Sequence, residues 1–289
     1  AYLSDDFTSA GIEWMEANRG RPFFLYMAYH DVHAPYDPKP ELAEKYRMKA
    51  ADLGVEIDAG HAATVEALDQ NVGRILDYLD EKGLAENTIV LFTSDNGGTR
   101  QYTAPLNAGK GSLYEGGIRV PFVIRGPGIR AGAKSAEPIL SMDVYPTLLD
   151  FAGLAAPDPH RLDGASLRTL LSGDIGSLGR ERVFWHFPCY VGGNGPSSAM
   201  RQGDWKIIEF FESQTVEIYD LSKDPGEQND LSGSMPDQAK ELAETLHAWQ
   251  EETAAPRPTG ANPNYDPSVQ PERGKGGGGN GGGGGKRPK

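Results

Sequence analysis

The chain has 289 residues, 38% of them hydrophobic, and a formal net charge of -13. That length and apolar content support a buried core, as one large domain or a large and a small one, and exclude a disordered polyelectrolyte. The acidic balance excludes a general nucleic-acid binder, because no basic surplus exists to neutralise phosphates, so any anionic ligand must be met by a local cationic cluster.

Cys189 is the only cysteine, so no intrachain disulfide forms. No stretch has the apolar length of a membrane span. The chain opens on Ala1-Tyr2-Leu3, with neither a methionine nor a signal peptide, and reads as the middle of a longer protein.

Ser4 or Asp5 is placed to cap a helix that carries Ile12, Trp14 and Met15 and ends near Asn18-Arg19-Gly20. Asp5-Asp6 then reads as an acidic helix opening, favourable to the helix dipole, rather than as a metal pair. Pro22 to Ala28 reads as a buried strand, and His30 to Pro38 as a site-like loop that Pro35, Pro38 and Pro40 keep extended. A short helix around Glu41 to Arg47 and a polar insertion to about Gly60 come next. From His61 the spacing of Leu68, Val72, Ile75, Leu76 and Leu79 predicts a helix, with Gly83 at its C-terminal cap.

That helix leads into Ile89-Val90-Leu91-Phe92, an apolar run that breaks into Ser94-Asp95-Asn96-Gly97-Gly98. A buried parallel strand delivering polar groups beyond its carboxyl end has this pattern. Asp95 and Asn96 offer a charged and a neutral oxygen to a hard cation such as calcium; an ordinary Asn-Gly turn is the competing reading. Lys110, between Gly109 and Gly111, is a point charge on a loop that an anion can approach closely. Arg100, Arg119 and Arg125 are near enough in sequence to extend a cationic cluster around it.

Val120 to Ile124 predicts a strand whose Pro121 belongs at an edge or a start. Ser141 to Asp150 predicts a helix kinked by Pro146 and closed by Gly153, and Ser166 to Leu171 a shorter one. Val183 to Phe187, Trp205 to Phe210 and Val216 to Tyr219 alternate like strands of a small antiparallel sheet. Asp224-Pro225-Gly226 is a turn, and Pro236 to Glu252 a helix with Ala239, Leu242, Leu246 and Trp249 on one side. Gly274 to Lys289 is a glycine run too poor in apolar groups to offset the entropy of ordering.

The segments TSDNGG and GKGSLYEGGIRVP, with Tyr29-His30-Asp31-Val32-His33-Ala34-Pro35 upstream, resemble the type I, formylglycine-dependent sulfatases of the alkaline-phosphatase superfamily. The resemblance runs from about Tyr2 to about Leu231. It implies an α/β fold: an incomplete doubly wound mixed sheet followed by a smaller C-terminal antiparallel sheet and a terminal helix. The implied boundaries are a catalytic part over 1–175, a small domain over 176–254 and a disordered tail over 255–289. By resemblance, Asp95 and Asn96 match calcium ligands, Lys110 matches the sulfate-binding lysine, and His33 matches the histidine that contacts sulfate and protonates the leaving group. His186 borders the substrate pocket or is a packed histidine. His30, Asp31 and His33 could in principle hold zinc, but the Asp-Asn pair suits a harder ion. Tyr114 to Arg119, Asp143 and Tyr145 match segments whose role is positional.

One departure limits the resemblance. The family's nucleophile arises from a Cys/Ser-x-Pro-x-Arg motif, which these residues lack; Cys189 is followed by Tyr190-Val191-Gly192 and reads as an unmodified thiol. The expectation is a C-terminal part of a sulfatase, with the nucleophile upstream and no turnover by the isolated chain. The full-length form would hydrolyse sulfate esters of carbohydrate or aryl alcohols, in the periplasm or outside the cell. A phosphatase or phosphonate monoesterase of the same superfamily, and an inactive carbohydrate-binding remnant, are the alternatives.

Overall fold

In the computed structural model, residues 2–158, 161–174, 176–191, 194–260 and 262–265 are described. They form two compact units, one of Ala1–Val90 with Arg125–Pro127, the other of Leu91–Ile124 with Gly128–Lys289.

The first unit is built on three helices. Helix α1 (Leu3–Asn18) starts at least two residues earlier than the capping pattern suggests: Tyr2 is the N-cap and offers no side-chain bond. Ser4 and Asp5 do not cap because both turn to tertiary partners, Ser4 to Asp31 and Asp5 to Lys39 and Asn71. Helix α2 (Pro40–Leu53) takes up much of the expected polar insertion, with Pro40 in its first turn and Gly54, at φ 63°, ending it. Helix α3 (Ala59–Glu81) begins where the Asp58 carboxylate accepts the amides of Gly60 and His61, and Gly83 follows it in the left-handed conformation. Leu42, Ala43, Ala63 and Ala67 join α2 to α3, while Met15, Tyr78 and Leu79 join α1 to α3.

Residues 22–28 depart from the expected buried strand: they form no ladder among the described residues, and their burial alternates residue by residue. Alternation then sorts their side chains, as it must with period two. Phe23 and Leu25 pack on the α1–α3 cluster, whereas Phe24 and Tyr26 are 71% and 76% exposed.

Strand β1 (Val90–Thr93) pairs with β2 (Phe122–Arg125), all but Val90 and Arg125 of these strands belonging to the second unit, and Pro121 stands just before β2 as its missing N–H requires. A separate four-stranded antiparallel sheet runs β3 (Arg182–Phe187), β4 (Ser197–Gln202), β5 (Trp205–Phe210), β6 (Thr215–Asp220), each strand beside its sequence neighbour. Strand β4 has no counterpart in the sequence expectations. Its sequence, Ser-Ser-Ala-Met-Arg-Gln, has little β propensity, yet Ser197 to Met200 are buried because both faces of the sheet are covered. On one face Met200, Ile207 and Ile218 pack against Ala239, Leu242 and Leu246 of helix α7 (Pro236–Glu252). On the other, Ala199, Ile208 and Tyr219 pack against Leu113, Tyr114 and Ile118.

Pro146 does not kink its helix. Ser141–Asp143 forms a separate single turn, so helix α5 (Val144–Phe151) has Pro146 in its first turn, where the lost N–H has no intrahelical partner anyway. Asp143 is fully buried; Arg180 reaches it through both terminal nitrogens, at 2.9 and 2.5 Å, and the amides of Leu140 and Ala165 donate to it. Helix α6 (Arg168–Ser172) follows. The glycine-rich segment 274–289 lies outside the described residues.

Between β1 and β2 the chain closes into a knot of glycine backbones. Gly97 donates to the Gly117 carbonyl at 2.9 Å, Lys110 to Gly98 at 2.8 Å and Gly116 to Asn107 at 2.9 Å. A Cβ at Gly97 would lie 1.9 Å from the Gly116 oxygen, one at Gly116 2.3 Å from the Asn107 oxygen, and one at Gly117 2.2 Å from the Ser112 oxygen. Only glycine permits these approaches. Helix α4 (Glu115–Ile118) starts inside the knot.

Two outcomes are expected. Gly97→Ala should force the Gly97 and Gly116–Gly117 backbones apart and cost about 3 kcal/mol or more by overpacking. Gly98→Ala, whose Cβ would meet only a Thr103 methyl at 3.5 Å, should be nearly neutral; equal urea midpoints for the two variants would refute the close-approach reading. For Asp143, burial opposes ionisation, but the Arg180, Leu140 and Ala165 hydrogen bonds outweigh it and hold the carboxyl below the usual carboxylate range. Such a depressed pKa adds stability above the unfolded value of about 3.9, lost as pH falls through the folded one. Asp143→Asn should lower the unfolding free energy at neutral pH by about 3–5 kcal/mol and flatten the loss of stability below about pH 4, as read by denaturation across pH.

Candidate functional site

In the first unit the candidate residues lie on the loop that follows residues 22–28. His33 is exposed; its amide donates to the His30 carbonyl at 3.0 Å, and its Nδ1 lies 2.5 Å from the Ala34 carbonyl. A carbonyl can only accept, so Nδ1 carries the proton in the neutral ring, which makes Nε2 the acceptor nitrogen of that tautomer. The His30 ring is 5.3 Å from that of His33. Asp31 does not join them as a third ligand. Its carboxylate takes the Tyr2 hydroxyl at 3.3 Å and the Ser4 hydroxyl, tying the loop to α1. Burial and the neighbouring Asp31 push the Tyr2 phenol up to about 12, so it stays a donor at any physiological pH. Among the described residues no group of three His, Cys, Asp or Glu side chains could hold a metal ion by itself.

In the second unit the glycine knot places the Asp95–Asn96 turn against the backbone that carries Lys110. Asp95 is exposed and Asn96 half-buried, and the Asn96 amide donates to Asp95 Oδ2. The Ser94 hydroxyl donates to the Asn96 carbonyl at 3.1 Å, which closes the turn from within. Lys110 is exposed, and its backbone N–H bond to Gly98 ties the two motifs together directly. The donors are one carboxylate and one amide oxygen, a hard set that suits an oxygen-preferring cation but fills only part of the shell of six to eight that calcium takes. The wider cationic cluster is reduced: Arg125 pairs with Asp80 at 3.4 Å, and Arg119 lies 3.9 Å from Glu115.

His186 belongs to β3. Its Nδ1 is 2.5 Å from the Ser198 hydroxyl and its Nε2 2.7 Å from the Pro256 carbonyl, so both ring nitrogens are engaged inside the second unit. Cys189 is an exposed free thiol. Among the described residues no helix is long and apolar enough to cross a membrane.

Three charged residues meet under the knot, all buried: Glu115, expected only to have a positional role, and Lys206 and Glu227, for which the sequence suggested no role. A lysine inside the otherwise apolar Trp205-Lys206-Ile207-Ile208 was the available signal, since a charge on a buried strand requires a partner.

Residues 1–154 match the Sulfatase family, and residues 109–254 match the family described as N-sulphoglucosamine sulphohydrolase, C-terminal. A protein named sulfatase from Formosa agariphila is 36% identical, the match covering 88% of this chain and 51% of that protein. Mouse steryl-sulfatase is 30% identical, over 81% of this chain and 42% of its own length. The crystal structure of Ps i-CgsB superposes with a TM-score of 0.75 at 27% identity, covering 86% of this chain and 55% of that one. A second structure of Ps i-CgsB is a complex with k-i-k-neocarrahexaose. The chain thus spans about half the length of the curated relatives it matches. With the family domain matched over residues 1–154 of 289, the chain belongs to the sulfatase family of alkaline-phosphatase-like fold.

Proposed function

We propose that the full-length protein hydrolyses sulfate esters of carbohydrate or aryl alcohols. The observation that carries this reading is the 2.8 Å bond from the Lys110 amide to Gly98, which couples a lysine loop to the Asp95–Asn96 turn in a chain of this family. Breaking the S–O bond of a sulfate ester places negative charge on the sulfuryl oxygens and on the departing oxygen, and both must be stabilised. Lys110 supplies a positive charge to a sulfuryl oxygen, close to a backbone without bulky side chains. His33, with Nδ1–H directed at Ala34, holds a proton at Nε2 when protonated and delivers it to the leaving alkoxide.

Asp95 and Asn96 contribute oxygens to a calcium ion, which when bound neutralises sulfate charge. The nucleophile is a formylglycine encoded outside these residues. Both ring nitrogens of His186 are engaged, so it supports the small sheet rather than reaching the sulfate. Residues to about 175 form the catalytic part and 176–254 the smaller domain. Ps i-CgsB, crystallised in complex with k-i-k-neocarrahexaose, favours a carbohydrate as leaving group, and similarity to human arylsulfatase A favours an aryl alcohol. The family resemblance also favours a location in the periplasm or outside the cell.

In the full-length protein, Lys110→Ala should lower kcat/KM for an aryl sulfate by about 10²–10³, and His33→Ala should lower kcat by about 10²–10⁴ for a poor leaving group and less for a nitrophenol that leaves without a proton. Removing divalent cations with a chelator should abolish activity and calcium should restore it. An aryl phosphate cleaved faster than the matching aryl sulfate, or full activity in Lys110→Ala, would overturn the assignment.

A further inference from the structure

The reaction makes no direct use of the buried charges beneath the lysine loop. Lys206, on β5, is fully buried; its ammonium donates to Glu115 Oε1 at 2.9 Å and lies 2.7 Å from Glu227 Oε1, in ion-pair contact without hydrogen-bond alignment. The other oxygen of Glu227 accepts the backbone N–H of Glu115 at 2.7 Å. One ammonium therefore serves two carboxylates. Burial pushes the Glu227 carboxyl up, and Lys206 and the Glu115 amide oppose that rise.

Both carboxylates belong to backbone that borders the glycine knot. Glu115 is five residues beyond Lys110 and immediately precedes Gly116 and Gly117. Glu227 has φ 51°, a conformation unusual for a residue with a side chain, and its carbonyl accepts from Asn107 at 3.2 Å. Beside it, a Cβ at Gly226 would stand 2.7 Å from the Pro105 carbonyl. Tyr114 is anchored separately: Glu217 on β6 accepts its hydroxyl at 2.5 Å and that of Tyr219 at 2.6 Å through the same oxygen.

A buried ion cluster is a poor source of net stability, because desolvation offsets most of the attraction, and well-packed apolar residues often do as well. What charges and hydrogen bonds add is direction. We infer that Lys206, Glu115 and Glu227 form a positioning device that sets the backbone of residues 107–117, and through it the place of Lys110 relative to the Asp95–Asn96 turn. The kinetic consequence rests on the sulfatase reading; the structural one does not.

The test therefore uses two readouts on the full-length protein. Amide exchange is followed at Gly97, Lys110, Gly116 and Gly117 in Glu227→Gln and, as a control of comparable destabilisation, in Leu246→Ala, which opens a cavity under α7 on the opposite face of the sheet. The expected result is exchange at least ten-fold faster at these amides in Glu227→Gln than in Leu246→Ala. Equal exchange in the two variants would overturn the inference. Lys206→Met is the stronger perturbation; Lys206→Arg, which keeps the charge, should recover most of the protection, and failure of that rescue alongside unchanged exchange in Glu227→Gln would reduce the cluster to packing. If the wild type hydrolyses aryl sulfates, Glu227→Gln should lower kcat by about ten-fold or more with a smaller change in KM, as misplacement of a transition-state contact does. An inactive wild type would remove the sulfatase reading while the exchange comparison still decides this one.

Discussion

Everything at the second unit's site depends on how closely uncharged backbone can approach uncharged backbone. Gly97 rests against Gly116 and Gly117 at distances where a single methyl would overlap a carbonyl oxygen, and Gly109 does the same against Gly98 and Arg100. Three segments separated in sequence therefore share one small volume, and their amides satisfy one another: Gly97 to Gly117, Lys110 to Gly98, Gly116 to Asn107. Asp95 and Lys110 are exposed and Asn96 is half-buried at this knot, and the backbone bonds of the glycines fix the segments that carry them. Such a site is arranged before any ligand arrives, and that pre-organisation is what electrostatic stabilisation of a developing charge requires.

The small antiparallel sheet supports the knot from below, and its two faces do different work. The face toward α7 is a plain apolar core of Met200, Ile207, Ile218, Leu242 and Leu246. The face toward residues 113–118 mixes apolar contacts with Lys206, Glu217 and Tyr219, and these polar groups meet Tyr114, Glu115 and Glu227. An apolar surface would hold the lysine loop down but tolerate sliding, because dispersion and hydrophobic contacts have little angular preference. Hydrogen-bonded charges in a low-dielectric interior tolerate far less. Asp143 shows the same division in the segment around α5, where one buried carboxylate gathers Leu140, Ala165 and Arg180.

In the first unit the same economy appears with fewer charges. Asp31 anchors the His33 loop to α1 through Tyr2 and Ser4, and Asp5 anchors the helix to Lys39 and Asn71, so the acidic residues that look like metal ligands in the sequence are structural acceptors. The exposed Phe24 and Tyr26 of segment 22–28 mark an apolar face that alternation turns away from the α1–α3 cluster.

Much of this was legible without coordinates, because some signals are local. Helix α7 follows from its apolar spacing and Pro236, the end of α3 from Gly83, and β1 with its Asp-Asn-Gly-Gly exit from an apolar run meeting turn residues. The family resemblance rests on three motifs in order and extends to His33, Asp95, Asn96 and Lys110 as candidates. Features whose partners are distant in sequence were not legible. Strand β4 is a polar stretch that becomes a strand only because its neighbours and both covered faces make it one, and the first turn of α5 absorbs Pro146 only because Asp143 fixes where the helix begins. The Lys206 cluster joins residues 91 and 21 positions away, so neither helical nor strand periodicity could reveal it. The sequence determined which residues carry charge and where the chain can turn; the tertiary structure alone decided which charges are buried together, because desolvation makes a buried charge depend on its partners in space rather than on its neighbours in the chain.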